Sequence, residues 1–284
     1  MDAALQRHRE RLHEQLRAYS HLLVAYSGGV DSAYLAWEAH QVLGDGVLAV
    51  LADSPSLPRT HFAAAVEFAQ QHGIPLRVVN TEEMQRPEYV RNDSQRCFHC
   101  KDELFRVMEI VASETGHAAI AYGRNRDDSS DFRPGQRAAA LHAAVAPLAE
   151  AELGKAEIRA LAQEFSLSVW DKPASACLSS RMEYGRPVTA EALRRIEASE
   201  EHLLQLGFRQ VRVRHHGDLA RVEIERGELA RALSLEMLAR ITAGVQAAGF
   251  TYVALDTEGY RSGSMNAVLP VESLLPRSVV PHAT

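Results

Sequence analysis

The stretch Val24-Ala-Tyr-Ser-Gly-Gly-Val-Asp-Ser32 decides the fold, and the rest of the chain is read outward from it. Leu22 to Tyr26 is a short apolar run of the kind a buried strand shows. Ala33 to Leu43 contains no Pro or Gly and predicts a helix. Strand, glycine-bearing loop and helix start together make an anion site, because unpaired N–H groups at a helix N-terminus point at the ligand. Gly28 and Gly29 let the backbone approach phosphate closely, and Ser27 and Ser32 add hydroxyl donors. Asp31 would repel a bare phosphate; it makes sense with Mg²⁺ between carboxylate and phosphate oxygens. The pattern is neither a Walker loop, which ends in Gly-Lys-Ser/Thr, nor the dinucleotide fingerprint G-x-G-x-x-G.

A length of 284 residues suggests one large or two modest domains with ample core. The net charge of −6 argues against a broad nucleic-acid surface. No apolar run approaches membrane-spanning length, and the charged, helix-like start from Met1 to Arg17 lacks a signal-peptide core. A cytoplasmic protein is the expectation. Three cysteines, an odd number, point to metal or reactive thiols rather than a disulfide scaffold.

Residues 3 to 20 read as a helix with a partial stripe of Leu5, Leu12 and Leu16. Val47 to Ala52 is a second apolar run, followed by Asp53 and Ser54. In an open α/β sheet ligands sit beyond the carboxyl ends of the strands, so both residues are placed to meet a nucleotide. Arg59 to His72 predicts a helix and Leu76 to Val79 a third strand. This alternation indicates parallel βαβ units. After the patternless Asn80 to Arg96 comes Cys97-Phe-His-Cys100, then a helix from Lys101 to Glu114 and a strand from Ala118 to Tyr122. The polar run Gly123 to Gly135 lies on the same ligand-bearing edge. Gly123, Asn125, Asp128 and Arg133 are its nucleotide candidates, and Asp127 and Asp131 are further metal or ribose candidates. Ala144 to Leu148 is a short strand or turn. Lys155 to Phe165 predicts a helix whose first lysine is in reach of a phosphate. Trp170 to Arg181 is a loop dense in functional side chains.

The chain changes rhythm near Gly185-Arg-Pro187, giving domains at 1–185 and 186–284. Thr189 to Leu206 opens like a helix capped by Thr189. Val211 and Val213 alternate with Arg212 and Arg214, and Val222 and Ile224 with Glu223 and Glu225. These predict two antiparallel strands around His215-His-Gly-Asp218. Leu233 to Ala248 predicts a helix and Thr251 to Leu255 a strand. The fold class is therefore α/β, a parallel-sheet nucleotide domain with a smaller C-terminal α+β domain. Arg212 and Arg214 match an anionic substrate group such as a phosphate, or a plain solvent face balanced by Glu223 and Glu225.

Cys97 and Cys100 form a C-x-x-C pair, and Cys177 stands far downstream. Structural zinc would need a fourth ligand. A thioredoxin-type redox pair would need a different βα setting. Three thiolates with one open corner suit a site-differentiated 4Fe–4S cluster, whose unligated iron can hold a substrate or an extra sulfide.

The S-G-G-x-D-S pattern resembles the pyrophosphate loop of the PP-loop ATP pyrophosphatases (the adenine nucleotide α-hydrolase-like fold). These split ATP between its α and β phosphates and adenylate an oxygen of a second substrate. Together with D-K-P-A-S-A-C-L-S-S-R at 171–181, G-R-N-R-D-D-S-S-D-F-R-P-G at 123–135 and V-R-V-R-H-H at 211–216, it resembles the LarE family over most of the chain. That family comprises PP-loop sulfur transferases of nickel-pincer nucleotide biosynthesis. The resemblance implies pyridinium-3,5-biscarboxylic acid mononucleotide as substrate, adenylation of each carboxylate by ATP with Mg²⁺, and replacement of AMP by sulfur. It implies Ser27, Gly28, Gly29, Asp31 and Ser32 at pyrophosphate, with Asp31 on Mg²⁺. Ser180, Arg181, Arg212 and Arg214 become candidates for the substrate phosphate, with Glu223, Glu201 and Asp218 as further contacts. It also implies a homo-oligomer, a sulfide or other sulfur donor, and no nucleic-acid or membrane partner.

In one branch of the family a single cysteine, matching Cys177, surrenders its own sulfur and becomes dehydroalanine. The added C-F-H-C pair departs from that branch. It resembles the branch in which three cysteines hold a 4Fe–4S cluster, and Cys97, Cys100 and Cys177 are the expected ligands. A PP-loop tRNA thiolase is the main rival, but it would want a basic face. An amide-forming PP-loop synthetase has no need of three cysteines. A zinc-stabilised nucleotide-binding regulator would not consume ATP.

Overall fold

The computed structural model describes residues 2–130, 134–173, 176–261 and 263–265. Arg133 and Asp131 of the polar run lie outside the described residues. The chain begins with α1 (Ala3–Arg17), β1 (Leu22–Tyr26), α2 (Val30–Leu43), β2 (Val47–Asp53), α3 (Arg59–Gln71) and β3 (Leu76–Asn80). It continues with α4 (Pro87–Val90), α5 (Arg96–Thr115), β4 (Ala119–Tyr122), α6 (Pro134–Leu141), α7 (Pro147–Glu150) and α8 (Lys155–Glu164). A single 3₁₀ turn at Leu178–Arg181 leads to α9 (Ala190–Gln205), β5 (Val211–His216), β6 (Leu219–Ile224), α10 (Leu229–Ala232), α11 (Leu235–Ala247) and β7 (Tyr252–Leu255).

The first sheet has the order β3-β2-β1-β4, with every pairing parallel. Strand order reverses beside β1, so the ends of β1 and β4 open a crevice between them. The polar loops after both strands meet in it. Because both faces of its centre are covered, β1, β4 and most of β2 are apolar runs, whereas edge strand β3 carries Arg77 and Asn80 and is less buried. One face carries Leu22, Val24, Ala49 and Leu51 against α1, α2, α3 and α8. The opposite face carries Leu23, Val50 and Ile120 against Phe105, Met108 and Val111 of α5 and Ala138 and Ala139 of α6. The second sheet, β5-β6-β7, has an antiparallel β5/β6 pair and a parallel β6/β7 pair. Its core packs Leu193, Ile196 and Leu203 of α9 and Ile241 and Val245 of α11 on Val211, Val213, Val222 and Ile224.

One expectation is corrected and one refined. Of the short strand or turn expected at Ala144 to Leu148, Val145 keeps an isolated parallel bridge to Ala121 and the chain then enters α7. Helix α5 begins at Arg96, five residues before the expected start, so Cys97 and Cys100 lie in its opening turns and not in a loop. Spacing of three then puts both thiols on one helical face. Segment 84–96 is clasped to the chain after Cys177. Asn92 Nδ2 donates to the carbonyls of Glu183 and Arg186 at 2.8 and 3.0 Å. Tyr89 Oη and Ser179 Oγ lie 2.5 Å apart, and Tyr89 enters the core of the second sheet. Among the described residues no helix is long and apolar enough to cross a membrane.

His142, just past α6, joins that helix to α5 by pairing with Glu109 Oε1 at 2.8 Å and Asp102 Oδ1 at 3.1 Å. Burial alone would lower its pKa, but the hydrogen bonds to Glu109 and Asp102 outweigh burial and raise it above 6.5. A raised folded-state pKa stabilises the protein most below the unfolded value and loses that contribution as pH climbs through the folded one. His142→Asn is therefore expected to destabilise the protein by about 1 kcal/mol in mildly acidic buffer. In chemical denaturation the difference from wild type should shrink steadily as pH rises above neutrality.

Candidate active site

Helix α2 starts earlier than its apolar pattern suggests, with Gly29 as N-cap, so Asp31 and Ser32 stand in its first turn. Ser32 Oγ accepts from Ser27 N at 3.1 Å and donates to Gly29 O at 3.1 Å, folding the loop back on the helix end. Gly28 has φ +69°, and a Cβ there would sit 2.6 Å from Ala65 Cβ of α3. Gly123 is equally constrained, since its Cβ would lie 2.8 Å from Ser32 N. The β4 loop thus seats directly on the helix end. Only glycine permits either approach.

Asp31 is held from both sides. Its Oδ2 accepts from Lys155 Nζ at 2.7 Å and from Asn125 Nδ2 at 3.4 Å. Its Oδ1 is buried and has no hydrogen-bond partner among the described residues. A buried carboxylate oxygen without a donor is costly, and a hard cation is the partner its chemistry suits. Asp127 and Asp128 mainly shape their own loop. Asp127 Oδ2 caps Lys155 N at 2.8 Å, and Asp128 Oδ2 accepts Asn125 N at 3.1 Å.

These groups line a cavity of about 810 Å³ that also receives Cys97, Cys100 and Cys177. Lys101, Lys155 and Lys172 line it too, together with Ser54 and Glu83. Glu83 is buried, accepts from Ser54 Oγ, and leaves its Oε2 without a partner. Asp53 is directed elsewhere: it pairs with Arg59 at 2.6 Å and does not line the cavity. The three cysteines are free thiols. Burial first, then the charges of Cys177, Glu83 and Cys97, pushes the Cys100 thiol far up. Beside them lies Arg96, 4% exposed, donating to the carbonyl of Ser179 at 2.7 Å and to Asn92. Burial disfavours its charge, yet thiolates at Cys97 and Cys177 more than restore it. Among the described residues Arg96 has no carboxylate partner; its guanidinium donates to a carbonyl and to the Asn92 side chain. No three His, Cys, Asp or Glu side chains among the described residues gather as a single metal ion requires. A four-iron cluster is less demanding, because each thiolate binds a different iron.

Ser180, Arg181, Arg212, Arg214 and Glu223 sit behind Cys177 and do not line the cavity. Arg181 is 1% exposed; its Nε and Nη2 fork onto Glu200 at 3.0 Å each, while Nη1 reaches the carbonyls of Ala176 and Cys177 at 2.6 and 2.8 Å. Ser180 Oγ donates to Cys177 O at 2.7 Å. Arg214 pairs with buried Glu223 at 2.7 Å, and Arg212 lies over the Tyr260 ring. His61 is pushed down to about 4, first by burial and then by the positive charges of Lys172, Arg181 and Arg212. On that side of Cys177 the arginines are largely paired, Arg181 with Glu200 and Arg214 with Glu223.

Sequence reasoning did not single out Glu83, Arg96, Lys101 or Lys172. Glu83 lies in the patternless segment, and Arg96 and Lys101 flank cysteines that drew the attention. Lys172 was visible only as part of the D-K-P run.

No protein-family profile matches the chain. A protein of Synechocystis sp., described only as uncharacterized, is 41% identical over 260 residues, 92% of this chain and 97% of the relative. The pyridinium-3,5-bisthiocarboxylic acid mononucleotide synthase of Lactiplantibacillus plantarum is 34% identical over 255 residues, 89% of this chain and 92% of that enzyme. An uncharacterized protein of Methanocaldococcus jannaschii is 27% identical over 241 residues, 85% of this chain and 91% of the relative.

Removing the Arg181 fork strands Glu200 in the interior. Arg181→Met is expected to cost about 3–5 kcal/mol in denaturant unfolding. Gly28→Ala, strained by both φ and the Ala65 contact, is expected to cost about 1–3 kcal/mol and to abolish nucleotide binding by calorimetry.

Proposed function

The chain belongs to the LarE family of pyridinium-3,5-bisthiocarboxylic acid mononucleotide synthases, and on that footing we propose that it is an ATP-dependent sulfur transferase. It adenylates the carboxylates of pyridinium-3,5-biscarboxylic acid mononucleotide and converts them to thiocarboxylates. The observation that carries this reading is the single cavity shared by the glycine loop and all three thiols.

Activation is required because a carboxylate oxygen is a poor leaving group and AMP a good one. The helix N-terminus of α2, with Ser27 and Ser32, receives the β and γ phosphates. Asp31, through its unpartnered Oδ1, would hold Mg²⁺ against them. The substrate carboxylate attacks the α-phosphorus, and the electron pair of the broken bond leaves with pyrophosphate. A sulfur nucleophile then attacks the acyl carbon and expels AMP. Ser54 and the Gly123–Asn125 turn line the nucleotide side. The phosphate of the mononucleotide would meet a lysine of the cavity wall such as Lys101, while Ser180 and Arg181 hold the Cys177 backbone from behind and Arg214 stays paired with buried Glu223.

Cys97, Cys100 and Cys177 would hold a 4Fe–4S cluster, and buried Arg96 supplies its counter-charge. Such a cluster, when bound, supplies a replaceable source of sulfide sulfur. The chain's own contribution is to bring three thiols to one cavity, with Cys97 exposed and Cys100 and Cys177 half-buried. Oligomerisation belongs to the same reading, with Leu233, Leu235 and Tyr252 exposed around the second sheet.

Anaerobically purified protein is expected to carry iron and sulfide with broad visible absorption, and to turn over repeatedly when sulfide is added. A single turnover with a mass loss matching dehydroalanine at Cys177 would instead establish sacrifice of that cysteine. Asp31→Asn is expected to lower substrate-dependent pyrophosphate release by about 100-fold, measured by phosphate-coupled assay.

A further inference from the structure

The cavity holds two lysines near the glycine loop, and they are satisfied differently. Lys155 Nζ has a carboxylate, Asp31, at 2.7 Å. Lys172 Nζ, among the described residues, has one polar partner, the neutral carbonyl of Gly28 at 2.9 Å. It is half-buried, and burial pulls its pKa down. A partly desolvated ammonium facing a single dipole is under-paired, and an anion completes it better than a carbonyl does. The residue that holds it is Gly28, inside the glycine loop that precedes α2. Lys172 lines that cavity with Ser27, Gly29 and Ser32.

The backbone of Lys172 is pinned, so its side chain alone is left to respond. Arg159 of α8 donates to Trp170 O and Lys172 O at 2.5 Å each. Lys172 N also donates to Val169 O at 3.2 Å. The other end of the cysteine-bearing stretch is fixed as firmly, with Leu178 N on Ser56 O at 2.8 Å and Arg181 on the carbonyls of Ala176 and Cys177.

We propose that Lys172 is a catalytic residue that exchanges the Gly28 carbonyl for a β- or γ-phosphate oxygen of ATP and neutralises pyrophosphate as it departs. The inference rests on the nucleotide reading of the site. The substrate carboxylate oxygen forms the new bond to the α-phosphorus, the bond to the bridging oxygen breaks, and its electron pair leaves with pyrophosphate. No proton has to move; the ammonium meets charge that develops on the leaving oxygen. Lys172 and Cys177, five positions apart in the sequence, line the same cavity. Departure of pyrophosphate returns the ammonium to Gly28.

The test uses the full chain and its Lys172→Met and Lys172→Arg variants. Inorganic pyrophosphate with Mg²⁺ is titrated by calorimetry, and kcat and KM for ATP are separated in the pyrophosphate-release assay. Lys172→Met is expected to weaken pyrophosphate binding at least tenfold and to lower kcat by about 100-fold, with thermal stability near wild type. Lys172→Arg is expected to recover most of the binding. Unchanged pyrophosphate affinity and kcat in a folded Lys172→Met protein would reduce the lysine to a tether and overturn the inference. Failure of the wild-type protein to bind pyrophosphate or ATP would overturn the nucleotide reading itself, and this inference with it.

Discussion

The buried fork between Arg181 and Glu200 is the interaction on which the functional architecture hangs. Glu200 belongs to α9 of the second sheet's layer, whereas the third arm of Arg181 grips the carbonyls of Ala176 and Cys177. One guanidinium therefore sets the backbone of the distal thiol relative to both sheets. A lysine could not do this, because it has a single charged tip and no planar fork. Glu200 Oε1 is itself held by Val213 N at 3.0 Å, so the fork is tied into β5 as well. Ser56 then fixes Leu178 to the loop that follows β2. Cys177 is suspended between two folding units by bonds that leave its neighbours little freedom.

A chain of net charge −6 nonetheless gathers cations at its cavity. Lys101, Lys155 and Lys172 line it, and the low pKa of His61 comes first from burial and then from the charges of Lys172, Arg181 and Arg212. Net charge is a long-range property that salt screens within about 10 Å. Local charge at a cleft is what a ligand meets on arrival. Composition excludes a broad basic face and is silent about a concentrated one. The acidic groups inside the cavity are few, and the position of each has a use. Asp31 accepts from Lys155 and Asn125, Asp127 and Asp128 shape their loop, and Glu83 lines the cavity with the thiols.

The parallel sheet was legible because its strands are short unbroken apolar runs separated by helices, and that pattern has few solutions. The glycine loop was legible for the same reason: residue identity fixes what the backbone can do there. The start of α5 was not. Arg96, Phe98 and His99 have neutral helix propensity, and no N-cap side chain marks the boundary; Gln95 makes no cap bond. Tertiary packing of Phe98 on the α5/α6 layer draws those residues into the helix. Asp53 and Arg181 were placed by motif at the ligand, yet each found a nearer partner of opposite charge. Pairing of that kind is decided by three-dimensional proximity, which residue type does not report.

By itself the sequence determined the alternation of strands and helices, the glycine loop from Ser27 to Ser32, and the presence of three thiols in an otherwise thiol-free chain. These follow from local chemistry: period, propensity and the conformational freedom of glycine. Only the tertiary structure decided that Cys97, Cys100 and Cys177 share a cavity with that loop, and that Arg96 lies against them without a carboxylate. It also decided which of the many arginines face the cavity and which are spent holding the chain together. Residues more than seventy positions apart meet through burial and charge pairing across two folding units, and no local pattern encodes such a meeting.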